Sequence, residues 1–435
     1  MTPQTESRPT IPTRAAIALG IGSMVGAGIF ALLGVAATRA GSALWLSFLA
    51  AGLIALLTGH SFAELGIRYP SRGGVVQYLA QAFGPGLFSG GSSILYYIAQ
   101  LIGMAMISLS FGRFVAQLLN VAPASADSAE KGFASALILG LMLLNLVGSK
   151  LVAVAQRLIV LVNLGILTLF TVALAFHAEP SRLAVSTWPE PAPILGSLAL
   201  TFFGFTGFAV VSNAVERLRE PRRDLPRAMY GSIGLVLLLY VALAAVVSAS
   251  VDAQTLSGSG ATLLADVARQ NFGEAGYYLL LVVAILATVT CLNSGLFGVT
   301  GITYTLAVNG QLPSRFQKSI GFSTRGLTIS AAIGLTLVNT LSLTTVASIG
   351  SATSLLVYSL VNVGAVILLP KQGLHRVITL ASVAACGLAI VVWIAYTAQT
   401  KPSSFGIFLA FTAAAFIAEA LLQRFHKRRG RLAAG

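Results

Sequence analysis

What most constrains this chain is a series of long apolar runs that recur from residue 15 to residue 423. A helix needs about 20 apolar residues to cross the hydrocarbon core of a bilayer. Twelve runs of that kind are present, at 15–37, 43–67, 87–112, 132–149, 151–176, 193–216, 228–250, 275–307, 327–343, 346–369, 377–396 and 404–423, here spans 1 to 12. The third and eighth are long enough to tilt or protrude, and the ninth is the shortest. Ten-residue alternating segments, the mark of a membrane barrel, are absent. Only 9% of the 435 residues are charged, against about 25% in soluble domains. That excludes a soluble enzyme, a disordered chain and a disulfide scaffold, and both cysteines (Cys291 and Cys386) fall inside apolar runs. The expected fold class is an all-α integral membrane protein with about 12 transmembrane helices.

The net charge of +14 does not point to nucleic acid, because the basic residues sit in short loops between spans. With the amino terminus inside, 21 of the 27 Lys and Arg residues fall in inner segments and 6 in outer ones. Lys and Arg are enriched in cytoplasmic loops, so both termini are expected in the cytoplasm of a multi-pass protein of the cytoplasmic (inner) membrane. Residues 1–14 are expected to form a disordered cytoplasmic arm with Pro3, Pro9 and Pro12. The tail 424–435 is basic and is expected to lie against anionic headgroups. The stretch Ala261–Phe272 is expected to form a short helix at the outer surface.

Glycines interrupt two spans near their middle. Span 1 holds Gly20-Ile21-Gly22-Ser23-Met24-Val25-Gly26-Ala27-Gly28, and span 6 holds Phe202-Phe203-Gly204-Phe205-Thr206-Gly207-Phe208. Glycine costs about 1 kcal/mol relative to alanine inside a helix. Paired Gly-interrupted segments in two halves of a chain point to an inverted-repeat binding site. The spacing fits two repeats of five spans, 15–176 and 193–369, followed by two extra spans within 377–423. Close packing through Gly22-xxx-Gly26 is the blander explanation. The glycine pattern of span 1 is not a dinucleotide fingerprint, which needs a preceding strand and a later acidic residue. A broken helix exposes N–H groups on one side of the break and carbonyls on the other. N–H groups near Ala27, Gly28 and Phe208 would attract a carboxylate, and carbonyls near Gly22, Ser23, Met24, Phe203 and Thr206 an ammonium. An α-amino acid carries both.

These segments resemble those of the amino acid–polyamine–organocation (APC) permeases. Gly22-Ser-Met-Val-Gly-Ala-Gly-Ile-Phe is similar to the first-helix signature, and Ala63-Glu64-Leu65 through Tyr69-Pro70-Ser71-Arg72-Gly73-Gly74 to the segment after helix two. The Phe202–Phe208 run with Glu216 and Arg223-Asp224-Leu225-Pro226, and Gly310-Gln311-Leu312-Pro313, resemble later family segments in the family order. The resemblance implies a LeuT-type 5+5 inverted repeat with broken helices 1 and 6, alternating access, and an amino acid substrate. By position, the carboxylate would meet the N–H of Ala27 and Gly28, and the ammonium the carbonyls of Met24, Phe203 and Thr206. Gly26, Gly204 and Gly207 would line the same site, and Phe203 would gate it from outside. Met104 of span 3 would face the substrate side chain. The family often has a lysine in helix five linked to proton coupling; here that position is Asn163, which cannot titrate. Ser294 is a further candidate for coupling through its hydroxyl. Ala209, Arg217, Gly301 and Val308-Asn309 also depart from the family pattern.

The expected function is secondary transport of amino acids, with neutral ones favoured because all 13 acidic residues map to loops or the inner interface. Alternatives of the same fold are a cationic amino acid or polyamine transporter, or a receptor or accessory subunit that binds without translocating. No membrane-enzyme motif, metal site, cofactor or nucleotide-binding loop is visible, so no ATP or nucleic acid partner is expected; the partners are the amino acid and membrane lipid. His60 is expected to be a hydrogen-bonded polar residue, Glu64 and Glu216 to pair with inner arginines, and Tyr96 and Tyr97 either to line the pocket or to pack.

Overall fold

A computed structural model describes residues 11–148, 150–370 and 372–433. The chain is helical almost throughout; the two strands, Ser319–Ile320 and Ser323–Thr324, form a small hairpin in the loop before span 9. Among the described residues, eleven helical stretches are long and apolar enough to cross a membrane. The twelfth expected span, span 9, is a helix of 16 residues, Arg325–Thr340. At about 1.5 Å per residue it is roughly 24 Å long, short of the ~30 Å hydrocarbon core. It stops because Ser342 caps the next helix, Leu343–Leu368, accepting from the Thr345 N–H at 3.4 Å.

Span 3 (Leu87–Leu118) has 32 residues and span 7 (Pro221–Ser250) has 30. Helical geometry runs continuously from Leu263 to Val308 except at Gly273, whose φ of +70° and ψ of −166° separate a short outer helix from span 8. Only glycine takes that backbone conformation without a Cβ clash. The expected helix before Phe272 is therefore present. The arm expected over 1–14 lies outside the described residues up to Thr10, and its last residues are ordered: Ile11 bridges Leu218, and the Thr13 hydroxyl donates to Asp224 at 2.7 Å. Helix Pro402–Ala433 continues through the basic tail; Ala434 and Gly435 lie outside the described residues.

Burial sorts the helices into a centre and a rim. Within one apolar 18-residue stretch of each, 72% of the residues are buried in spans 3 and 6, whereas 17% are in spans 4 and 12. The rim presents large apolar side chains outward, among them Leu143, Leu158, Leu169, Leu388 and Val391. In water such exposure would be an aggregation hazard; in lipid it is the required surface. At the centre, span 7 packs along span 2 (Leu44–Arg68), span 8 packs along span 3, and span 1 lies against spans 5, 6, 7 and 8.

Candidate functional site

Both glycine-interrupted spans are broken, in different ways. In span 1 the helix Thr13–Met24 ends at Val25 (φ −78°, ψ 87°), and α-helix resumes at Ala27. It continues to Ala40 past Ala31, whose backbone stays helical (φ −95°, ψ −41°). The 27–40 segment thus has a true N-terminus in mid-chain. Span 6 runs as Pro191–Phe203, then turns through Gly204 (φ −60°, ψ −21°) and Phe205 (φ −97°, ψ −13°) into a 3-10 turn, Thr206–Phe208. Only five α-helical residues follow, Ala209–Asn213. The N–H groups of Gly204, Phe205 and Phe208 bond three residues back, to Thr201, Phe202 and Phe205.

The two breaks press against each other. A Cβ on Gly28 would lie 2.9 Å from the Gly204 carbonyl oxygen, and one on Gly207 would overlap the Ser23–Met24 peptide. Beside this contact is a cavity of about 70 Å³, room for about two waters at roughly 30 Å³ each. Ser23, Met24, Gly28, Met104, Phe203, Gly204, Thr206 and Gly207 line it, together with Gln100 and Gly103 of span 3, Cys291 and Gly295 of span 8, and Ser354 of span 10. Eight of the residues singled out from the sequence therefore meet around one space.

The others do not. Gly22 faces span 5, where an added Cβ would sit 2.7 Å from a Val160 methyl, so its smallness serves packing. Gly26 abuts Cys291 and the Ala287 carbonyl of span 8. Ala27 begins the resumed helix. Phe208 turns its ring away, with ring centroids 5.2 Å from Phe62 and 5.5 Å from Tyr358, and its N–H is already used. Asn163 is 1% exposed, and its Oδ1 has no hydrogen-bond partner. Ser294 accepts from Gln156 Nε2 at 2.7 Å and lines a different, larger cavity. Tyr96 and Tyr97 pack; the Tyr97 hydroxyl meets Ser330 at 2.8 Å.

Phe203 is 8% exposed, and its ring tip lies 3.7 Å and 3.1 Å from where Cβ atoms on Gly103 and Gly350 would stand. The break carbonyls already hold donors. Tyr240 donates to Met24 O at 2.8 Å, Tyr358 to Thr206 O at 2.8 Å, the Thr206 hydroxyl to Phe203 O at 2.8 Å and Cys291 to Ser23 O at 3.2 Å. A carbonyl oxygen has two lone pairs, so each can accept a second donor. Sequence reading passed over Tyr240, Tyr358 and Cys291; a polar atom within an otherwise apolar run, opposite a broken span, was the available signal.

Toward the arginine-rich end lie two further cavities, of about 510 and 330 Å³. Leu19 and Ser294 of the larger stand one turn and one residue from Ser23 and Gly295 of the central one. Arg72 and Glu216 pair at 3.1 Å beside the smaller. Glu64 departs from the expected arginine pairing and sits 3.9 Å from His375.

Residues 11–419 match the amino acid permease family. The chain belongs to that family. It is similar to the inner membrane transport protein YbaT of Escherichia coli, 31% identical over 80% of this chain and 81% of the relative. It is also similar to the branched-chain amino acid permease BcaP of Bacillus subtilis (26% identical; 69% and 67% covered) and to the chloroplastic cationic amino acid transporter 9 of Arabidopsis thaliana (28%; 69% and 56%). The protein is thus a multi-pass membrane transporter of the APC superfamily that acts on a small molecule, and its family is one of transporters, not enzymes.

Proposed function

We propose that this permease moves neutral amino acids across the cytoplasmic membrane by alternating access, using a LeuT-type inverted repeat of spans 1–5 and 6–10 with spans 11 and 12 outside it. The substrate carboxylate meets the N-terminus of the 27–40 helix at Ala27 and Gly28, where the helix dipole favours negative charge. The ammonium meets the Met24, Phe203 and Thr206 carbonyls, each of which has a second lone pair to accept it. Phe203 closes the site on the outer side, and the two larger cavities lie on the path to the cytoplasm, with Arg72–Glu216 at its mouth.

The observation that carries the neutral substrate is the lining: none of the described residues around the central cavity is Asp, Glu, Lys, Arg or His. A second ammonium or a guanidinium would enter unpaired, at a cost of about 2.5–3.5 kcal/mol on insertion scales. Met104 at 1% exposure supplies a flexible apolar wall for the side chain. Coupling does not run through a titrating group at position 163, because Asn163 cannot ionise; exchange of one amino acid for another is favoured. Uptake into proteoliposomes tests this. Alanine, leucine and methionine should compete with labelled substrate far better than arginine, lysine or putrescine, and the reverse order overturns the substrate class.

A further inference from the structure

Away from the broken spans, His60 and Glu64 on span 2 and His375 on span 11 (Leu374–Thr400) bring three ligand atoms within 4.8 Å of one another. His60 Nε2 and His375 Nδ1 are 3.1 Å apart, and Glu64 Oε1 is 3.9 Å from the same His375 nitrogen. The sequence placed His60 and Glu64 one turn apart on a single helix face, but gave no hint that His375, more than 300 residues later, would reach them. Ligands held tetrahedrally at 2.0–2.1 Å from zinc are about 3.3 Å from each other. The observed separations bracket that value, so small side-chain movements would seat an ion.

Three further facts fit a metal. His60 Nδ1 is 2.6 Å from the Tyr230 hydroxyl of span 7. A ligating histidine commonly uses its other ring nitrogen in that way, which fixes the tautomer and leaves Nε2 free to bind. The nearby cations are turned elsewhere: Arg376 donates to the Val366 carbonyl at 2.6 Å and Arg68 to the Leu368 carbonyl at 3.2 Å. Finally, His60 is buried, Glu64 half-buried and His375 exposed, so the cluster is anchored on one side and open on the other. An ion can enter from the arginine-rich end, and a fourth position remains for water.

We infer that His60, Glu64 and His375 form a site for a zinc-class divalent transition metal that ties span 11 to spans 2 and 7. Two imidazoles and one carboxylate suit zinc, cobalt or nickel better than magnesium or calcium, which prefer all-oxygen sites.

The test is zinc titration of the purified full chain, with any affinity tag removed, against a chromophoric chelator. The expected result is one zinc per chain. His375→Gln and Glu64→Gln should each weaken binding by at least about 10-fold, and Tyr230→Phe by about 10-fold, within the range for outer-shell partners. His177→Gln, in the turn after span 5, should leave it unchanged. Cobalt in place of zinc should give the visible absorption of a four-coordinate site, lost in His375→Gln. Because His375 is exposed, that variant should melt like the parent in chelator; should it not, Glu64→Gln provides the same comparison. No saturable binding at one equivalent, or equal affinity in both ligand variants, overturns the inference and leaves the cluster as a metal-free hydrogen-bond chain from Tyr230 through His60 to His375.

Discussion

The breaks in spans 1 and 6 look alike as glycine-rich strings, yet they differ in the structure. In span 1 the backbone leaves helical space at Val25 and starts a new helix that continues for three to four turns. In span 6 the backbone angles stay near helical values while the hydrogen bonds shorten to a 3-10 pattern, and little α-helix follows. Three or more turns of aligned peptides create a macrodipole with free N–H groups at its start; five residues after a 3-10 turn do not. The pair is therefore chemically unequal. In the proposed site span 1 supplies the anion-attracting terminus and the Met24 carbonyl, and span 6 supplies the Phe203 and Thr206 carbonyls and the Phe203 ring.

The largest effects should come from widening the contact between the breaks. Gly207→Val forces a side chain onto the Ser23–Met24 peptide, and Gly28→Leu onto the Gly204 backbone. Both should reduce proteoliposome uptake to background, because backbone on the far side cannot give way as a flexible side chain would. Wild-type uptake in either variant at normal expression would mean the breaks are not in contact in the working protein. Next comes thiol modification. Cys291 is 6% exposed and lines the cavity, while Cys386 is fully buried among other helices. A small methanethiosulfonate reagent should inactivate the protein, saturating substrate should slow inactivation about 10-fold by mass action, and Cys291→Ala should be insensitive.

A smaller effect separates the two breaks directly. Tyr240→Phe removes the donor to Met24 O, and Tyr358→Phe removes the donor to Thr206 O. A typical net hydrogen bond contributes about 0.5–1.5 kcal/mol, so apparent affinity should fall roughly 2- to 10-fold. Tyr240→Phe should cost more. The span 1 turn has a non-helical residue to hold, whereas the span 6 turn is also secured by its own 3-10 bonds and by the Thr206 hydroxyl. Equal losses would argue that the breaks are held alike. The smallest effect is expected at the exposed Arg72–Glu216 pair, where Arg72→Gln should change uptake no more than the 0.2–1 kcal/mol typical of surface pairs. Asn163→Ala should leave the pH profile of uptake unshifted, since nothing at that position titrates.

Much of this was legible in the residues, for identifiable reasons. Spans are set by hydrophobic length, which a local window captures, so all but the ninth met the length needed. Glycine marks where a helix is weak, so both break positions could be read. What the sequence does not carry is which way each glycine faces. Gly22 and Gly26 sit in the same string as Gly28 but pack on Val160 and Cys291, because helix rotation is set by neighbours hundreds of residues away. For the same reason the hydroxyls of Tyr240 and Tyr358 were missed, as was the meeting of Glu64 with His375 instead of an arginine.

The central claim is that one zwitterion is held between unequal breaks, its carboxylate on span 1. It is tested most directly by comparing the best neutral amino acid competitor with two truncated forms, its carboxamide and its deaminated acid, in inhibition of uptake. Hydrogen bonds to charged groups contribute about 1.5–3 kcal/mol each, so removing either charge should weaken inhibition by at least about 10-fold. Gly28→Ala should further reduce binding of the deaminated acid, which depends on the span 1 terminus alone, more than that of the carboxamide. If the carboxamide inhibits as well as the parent amino acid, the span 1 terminus does not hold a carboxylate, and the account of the site is wrong.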